Sequence, residues 1–122
     1  MTFRVVERAG LRFFECGEDG AKISSERDAV DIVGEAFTAR PDWIVIPVAR
    51  LGEGVLDLKT RLLGEMLQKF VNYRFRVAIL GDVSAVCAAS TPFADFVREA
   101  NRGTQIRFAP DRTALLESLS GG

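Results

Sequence analysis

An α/β domain with a mainly parallel sheet, an N-terminal hairpin and the element order ββαβαβαβα is predicted for this chain, and three observations predict it. Two short runs, Trp43 to Val48 and Phe75 to Leu80, are rich in apolar and β-branched residues and too short for helices, as expected of strands buried on both faces. Segments with apolar residues at helical spacing follow each of them. The stretch LDLKTRLLGEMLQKFVNYRFRVAILGD, from Leu56 to Asp82, reads without a break as cap, amphipathic helix, turn and strand. Strands alternating with helices imply parallel pairing, and right-handed crossovers leave few topologies.

Each element has its own signal. Phe3 to Val6 and Leu11 to Cys16 are β-prone runs around Gly10, which predicts the hairpin. Ser24 or Ser25 stands where a helix N-cap belongs, with Asp28 in capping-box position, and Ala29, Ile32, Val33, Ala36 and Phe37 supply the stripe of a helix ending near Arg40, before Pro41. Pro47 cannot donate to a ladder, so it implies either a bulge or a strand whose pairing on one side ends there. Asp57 is the expected cap of the second helix, with Leu62, Leu63, Met66, Leu67 and Phe70 inward and Arg61, Glu65, Gln68 and Lys69 outward. Asn72 is suited to a left-handed turn after it, and Tyr73 to a buried ring with a wet hydroxyl.

Val83 to Ser90 reads as a loop with room for a helical turn. Thr91-Pro92 gives an N-cap and first-turn proline for a third helix, with the stripe Phe93, Phe96, Val97 and Ala100 and with Gly103 at its end. Gln105 to Ala109 is the last strand, and Asp111 caps a short final helix carrying Ala114, Leu115 and Leu119. Residues 1–119 therefore form one domain, and 120–122 a frayed tail.

Composition narrows function mostly by exclusion. The 122 residues are 48% apolar, enough for one core, and the net charge of −1 with both signs interspersed leaves no footprint for a nucleic-acid backbone. No apolar run approaches the roughly 20 residues that span a bilayer, and MTFRVVERAG lacks a signal peptide's apolar region. A cytoplasmic protein without a membrane partner is expected. There is no histidine, which removes the usual general base, the Ser/His and Cys/His pairs and most zinc sites. Cys16 and Cys87 read as buried thiols, not a disulfide. Gly17, Gly20, Gly52 and Gly54 have neither dinucleotide nor Walker spacing, so no cofactor is expected.

Three blocks carry a resemblance: Leu56 to Asp82 with LQKF and NYR in place, FVREANRG from Phe96 to Gly103, and RDAVDIV from Arg27 to Val33. They resemble the best-marked blocks of a bacterial family of domains of unknown function, which implies a fold and no activity. In element order and spacing the chain is also similar to STAS domains, the fold of anti-sigma factor antagonists. That fold carries a phosphorylated serine at the start of the helix after its central strand. Here the corresponding GVLDLKTR has no serine, and Thr60 is its only hydroxyl.

Asp57, Lys59, Thr60 and Arg61 at one helix start, and Asp82 past the next strand, are placed by an open parallel sheet at its carboxyl edge, where ligands bind. Lys59 and Arg61 near a helix N-terminus would suit an anion. The plain alternative makes Asp57 a cap, Asp82 a turn residue and the cations solvated. Arg98, Glu99, Asn101 and Arg102 either complement a helix dipole or, on the edge of Asp82, form a docking surface. Gly64 in mid-helix costs roughly 1 kcal/mol against alanine, which close packing on the sheet or a partner contact would explain.

Three readings follow. The first is a STAS-like regulatory module without catalysis that binds a protein partner around Val55 to Arg61. The second is a small-molecule or nucleotide site using Lys59, Thr60, Asp82 and Arg102. The third is a homo-oligomer formed through Val55, Leu56 and Phe93.

Overall fold

The computed structural model describes residues 3–120. Its five strands are β1 (Phe3–Arg8), β2 (Leu11–Cys16), β3 (Trp43–Pro47), β4 (Val77–Leu80) and β5 (Ile106–Ala109), and they lie side by side in chain order. The hairpin β1–β2 is antiparallel and every later pair is parallel. The helices are α1 (Glu26–Ala36), α2 (Leu62–Asn72), α3 (Ser84–Ala89), α4 (Thr91–Arg102) and α5 (Arg112–Ser120). The predicted α/β class and hairpin stand. The order gains one helix, because Ser84–Ala89, inside the segment expected to be a loop with room for a helical turn, forms α3.

Chain-order parallel strands with right-handed crossovers place their connecting helices on one face. Alternation along the strands sorts the core accordingly. Phe14, Ile44, Ile46, Val77, Ile79 and Phe108 meet the stripes of α1, α2 and α4 on the first face. Phe13, Trp43, Val45, Ala78 and Ala109 point the other way and meet Leu115 of α5. One face thus has three long helices and the other has one. Pro47 ends β3 as anticipated: pairing with β2 stops at Glu15–Val45, while the β4 side continues to Pro47–Leu80.

Ser25 is the cap of α1, accepting from the Asp28 N–H at 3.1 Å, while Asp28 reaches back to the Ser24 N–H at 2.9 Å. Asp57 caps only a 3₁₀ turn, Leu58–Thr60; Arg61 then takes a left-handed conformation with φ 64°, and α2 starts at Leu62. The buried stripe of α2 is Leu63, Met66, Leu67 and Phe70, with Leu62 half-buried at its margin. Ser90, not Thr91, caps α4 through the Phe93 N–H, so Pro92 sits at the second helical position. At the end of α2 the left-handed residue is Arg74 and not Asn72, whose side chain accepts from Gln68, and Tyr73 is exposed.

Further expectations are corrected. Gly64 is solvent-facing, and a Cβ there would meet nothing within 4 Å, so packing on the sheet is not its reason. Val55 and Phe93 are wholly buried and so unavailable for self-association; only Leu56 keeps partial exposure. Cys16 is buried but Cys87 only half so, and both are free thiols. The final helix includes Ser120, while residues 121 and 122 lie outside the described residues. Among the described residues no helix is long and apolar enough to cross a membrane.

Candidate functional site

The carboxyl ends of the parallel strands open onto two segments, 17–25 after β2 and 48–61 after β3. They are tied to each other. Ile23 donates to the Arg50 carbonyl at 2.7 Å, Gly52 donates to the Ile23 carbonyl at 2.9 Å, and Lys22 Nζ reaches the Ala49 carbonyl at 2.6 Å. Arg50 supplies the anchor. Its side chain is 1% exposed, with Nε donating to the Ala21 carbonyl at 2.9 Å and Nη1 to the carbonyls of Gly17 and Asp19 at 2.9 and 3.2 Å. Gly20 lies against the guanidinium, since a Cβ there would stand 3.1 Å from Arg50 Cζ. A buried charge is tolerated when its donors are satisfied, and here backbone carbonyls do so.

Two clefts border this edge. One, of about 450 Å³, lies between the Gly52–Leu58 segment and α3 and is lined by Val48, Leu51, Leu56, Leu58 and Val86 with Asp57 and Ser90 at its polar end. Asp57 Oδ1 accepts from the Lys59 N–H at 3.0 Å. The Thr60 hydroxyl lies 2.8 Å from the carbonyls of Gly54 and Asp57 and accepts from the Leu62 N–H at 3.3 Å. Lys59, Thr60 and Arg61 are all exposed beside this cleft.

The other sequence-predicted residues do not join them. Asp82 accepts from the Ser84 hydroxyl at 2.6 Å and its N–H at 2.9 Å; these bonds hold its carboxyl below the usual range and start α3. It lines neither cleft. Arg102 ends α4 at the opposite, amino edge of the sheet, because a crossover helix must return to where the next strand begins; it pairs with Glu99 at 3.1 Å. Asn101 beside it accepts from the Phe108 N–H at 2.7 Å and fixes α4 to β5. Arg102 and Asp82 therefore share no surface, and no single site unites Lys59, Thr60, Asp82 and Arg102.

The second cleft, of about 530 Å³, was not foreseen. It lies on the face that α5 only partly covers, over Glu15, Val45, Pro47 and Leu80, with Arg4 and Arg112 at its sides. Glu15 is 7% exposed, and its Oε1 takes Arg4 Nε at 3.3 Å and an ion pair with Arg112. Its Oε2 and the Nε of Arg112 are buried without a hydrogen-bond partner. The available signal was one charge inside the apolar run RFFEC. Cys16 adjoins this cleft, but burial pushes its thiol up to about 11, against the opposing pull of Arg50, so it is neutral at pH 7 and a poor nucleophile.

No cluster of histidine, cysteine or carboxylate side chains able to hold a metal occurs among the described residues. No curated protein and no solved structure matches the chain. A family model matches residues 8–119, which takes in β2 to β5, α1 to α4 and α5 as far as Leu119, with Arg8 alone of the first strand. By that match the chain belongs to the family described as Domain of unknown function (DUF4180).

Proposed function

We propose that this domain is a STAS-like regulatory module of the cytoplasm that binds a protein partner without catalysis, through the Val55–Arg61 segment and the outward first turn of α2. The observation that carries the reading is Gly64. A glycine inside a helix costs roughly 0.5–1 kcal/mol, and this one faces solvent with open space where a Cβ would be. Three residues earlier Arg61 holds φ 64°, which also costs energy for a side-chain-bearing residue. The Arg61 conformation closes the 3₁₀ turn onto the Leu58 carbonyl and starts α2, so the penalty with no return in packing is that of Gly64, close in sequence to Lys59 and to the segment that lines an apolar cleft. A partner segment with an apolar residue for the cleft and carboxylates for Lys59 and Arg61 complements that surface.

The Lys59→Ala/Arg61→Ala double variant should lose capture of a partner from cell lysate while keeping the wild-type melting temperature. Retained capture rejects the surface. Gly64→Ala separates stability from binding: it should raise the melting temperature by about 2–5 °C, the equivalent of up to about 1 kcal/mol, and weaken capture. A Gly64→Ala protein that is more stable and captures equally well would show that the glycine is not kept for docking.

A further inference from the structure

The Glu15 cleft lies on the opposite face of the sheet from the docking surface proposed above, and its construction can be read row by row. Glu15 pairs with Arg4 on one side and Val45 on the other, and the same row continues across the sheet through Ala78 to Arg107. The next row toward the carboxyl edge is Pro47, Leu80 and Ala109. Helix α5 starts beside this second row, sends Arg112 across to Glu15, and then covers the amino half of the face through Leu115. The carboxyl half stays open, with an aliphatic floor and a charged end.

The charged end is incompletely satisfied. Both arginines converge on Oε1 of Glu15, which leaves Oε2 as a buried acceptor without a donor and Arg112 Nε as a buried donor without an acceptor; Arg107 Nε, farther along the same row, is a third such atom but its residue does not line the cleft. Buried polar groups are rarely left so. The two residues that hold these atoms both line the cleft, one an anion and one a cation. A ligand carrying only a carboxylate meets Glu15, and one carrying only an ammonium meets the arginines, so each alone faces a like charge.

We propose that this cleft binds a small zwitterion of the amino-acid type with an apolar side chain. Its ammonium pairs with the Glu15 carboxylate, which turns to present Oε2 to the cleft, its carboxylate accepts from Arg112 and Arg4, and its apolar body lies on Val45, Pro47 and Leu80. The volume of about 530 Å³ falls within the range of small-molecule sites, roughly 300–1,000 Å³. Arg4, whose side chain is 71% exposed against 29% for Arg112, is free to swing onto the carboxylate at little cost.

The test uses calorimetric titration of the full chain with leucine and phenylalanine, and with 4-methylpentanoate and isoamylamine as probes that each keep one charged group of leucine. Saturable binding of a zwitterion, at least about tenfold tighter than either half-probe, is expected. Glu15→Gln should weaken it at least about tenfold, and Leu80→Trp, which fills the floor, should abolish it, with circular dichroism confirming that each variant is folded. Lys59→Ala/Arg61→Ala should bind the zwitterion like wild type, so loss of partner capture and loss of ligand are separable results. No saturable binding up to about 10 mM, an amine that binds as tightly as the zwitterion, or unchanged affinity in folded Leu80→Trp would each overturn the proposal.

Discussion

Arg50→Met should destabilise the domain by roughly 3–5 kcal/mol, a large share of the 5–15 kcal/mol typical of a domain. The methionine fills a similar volume but offers no donor. The carbonyls of Gly17, Asp19 and Ala21 then lose the charged partner that holds them. Because residues 18–22 are exposed, water replaces part of what is lost, which keeps the expected effect below a simple sum of three charge-assisted bonds. Urea unfolding supplies the measurement, with Arg50→Lys as its control. Lysine keeps the charge but not the fork that serves Nε and Nη1 together, so it should fall between wild type and methionine. Protease cleavage within 17–22 should rise in the same order. A methionine variant with the wild-type midpoint would mean that the guanidinium does not hold this segment.

Arg50 also marks the limit of what the residues alone make legible. The elements were readable because their signals are local: Ser25 with Asp28, the stripe Leu63, Met66, Leu67 and Phe70, and the closely spaced apolar run of β3 each need only their neighbours in sequence. Where two local signals compete the reading slips by a few residues. Asp57 is a genuine cap, but of a 3₁₀ turn, and Thr91 lost to Ser90 because one more residue of helix satisfies the Phe93 N–H through the Ser90 hydroxyl. The Val83 to Ser90 segment lacks the apolar spacing that marks a buried helix; α3 has no fully buried residue, so its pattern was too weak to read.

The site was less legible than the fold, for a topological reason. Asp57, Lys59, Thr60 and Arg61 are contiguous in sequence and stayed together. Asp82 and Arg102 were grouped with them on the assumption that polar residues flanking strands gather at one edge. A crossover helix has two ends, however, and only its first lies at the carboxyl edge, which removes Arg102; Asp82 does stand at that edge but is engaged with Ser84 and lines neither cleft. The Glu15 cleft needs Arg4, Glu15 and Arg112, the last separated from Glu15 by 97 positions. Their meeting depends on the strand order and on which face α5 takes, and neither is written in the local spacing of charges. The same holds for Arg50, on which the neighbouring residues VARLGEG carry no signal and which is among the most deeply buried large side chains of the domain.

Gly81→Ala should cost about 2–5 kcal/mol, the second large effect, and for reasons that two backgrounds can separate. Gly81 ends β4 at φ 148°, a conformation that side-chain-bearing residues rarely adopt. It also passes beneath Val48, so that a Cβ would stand 2.7 Å from Val48 Cγ2 and 2.8 Å from Val48 Cβ. The neighbouring atom after these is the Val48 backbone nitrogen at 3.6 Å, an ordinary contact. Val48→Gly therefore removes the collision and leaves the backbone penalty, roughly 1–3 kcal/mol. In a double-mutant cycle read by urea unfolding, Gly81→Ala should be milder in the Val48→Gly background by at least about 1 kcal/mol. Equal costs in both backgrounds would assign the whole effect to the dihedral angle and none to the close approach of the β3 and β4 carboxyl ends. That approach shapes both clefts, since Val48 lines one and Gly81 the other, so a variant that forces these two residues apart should disturb both faces together.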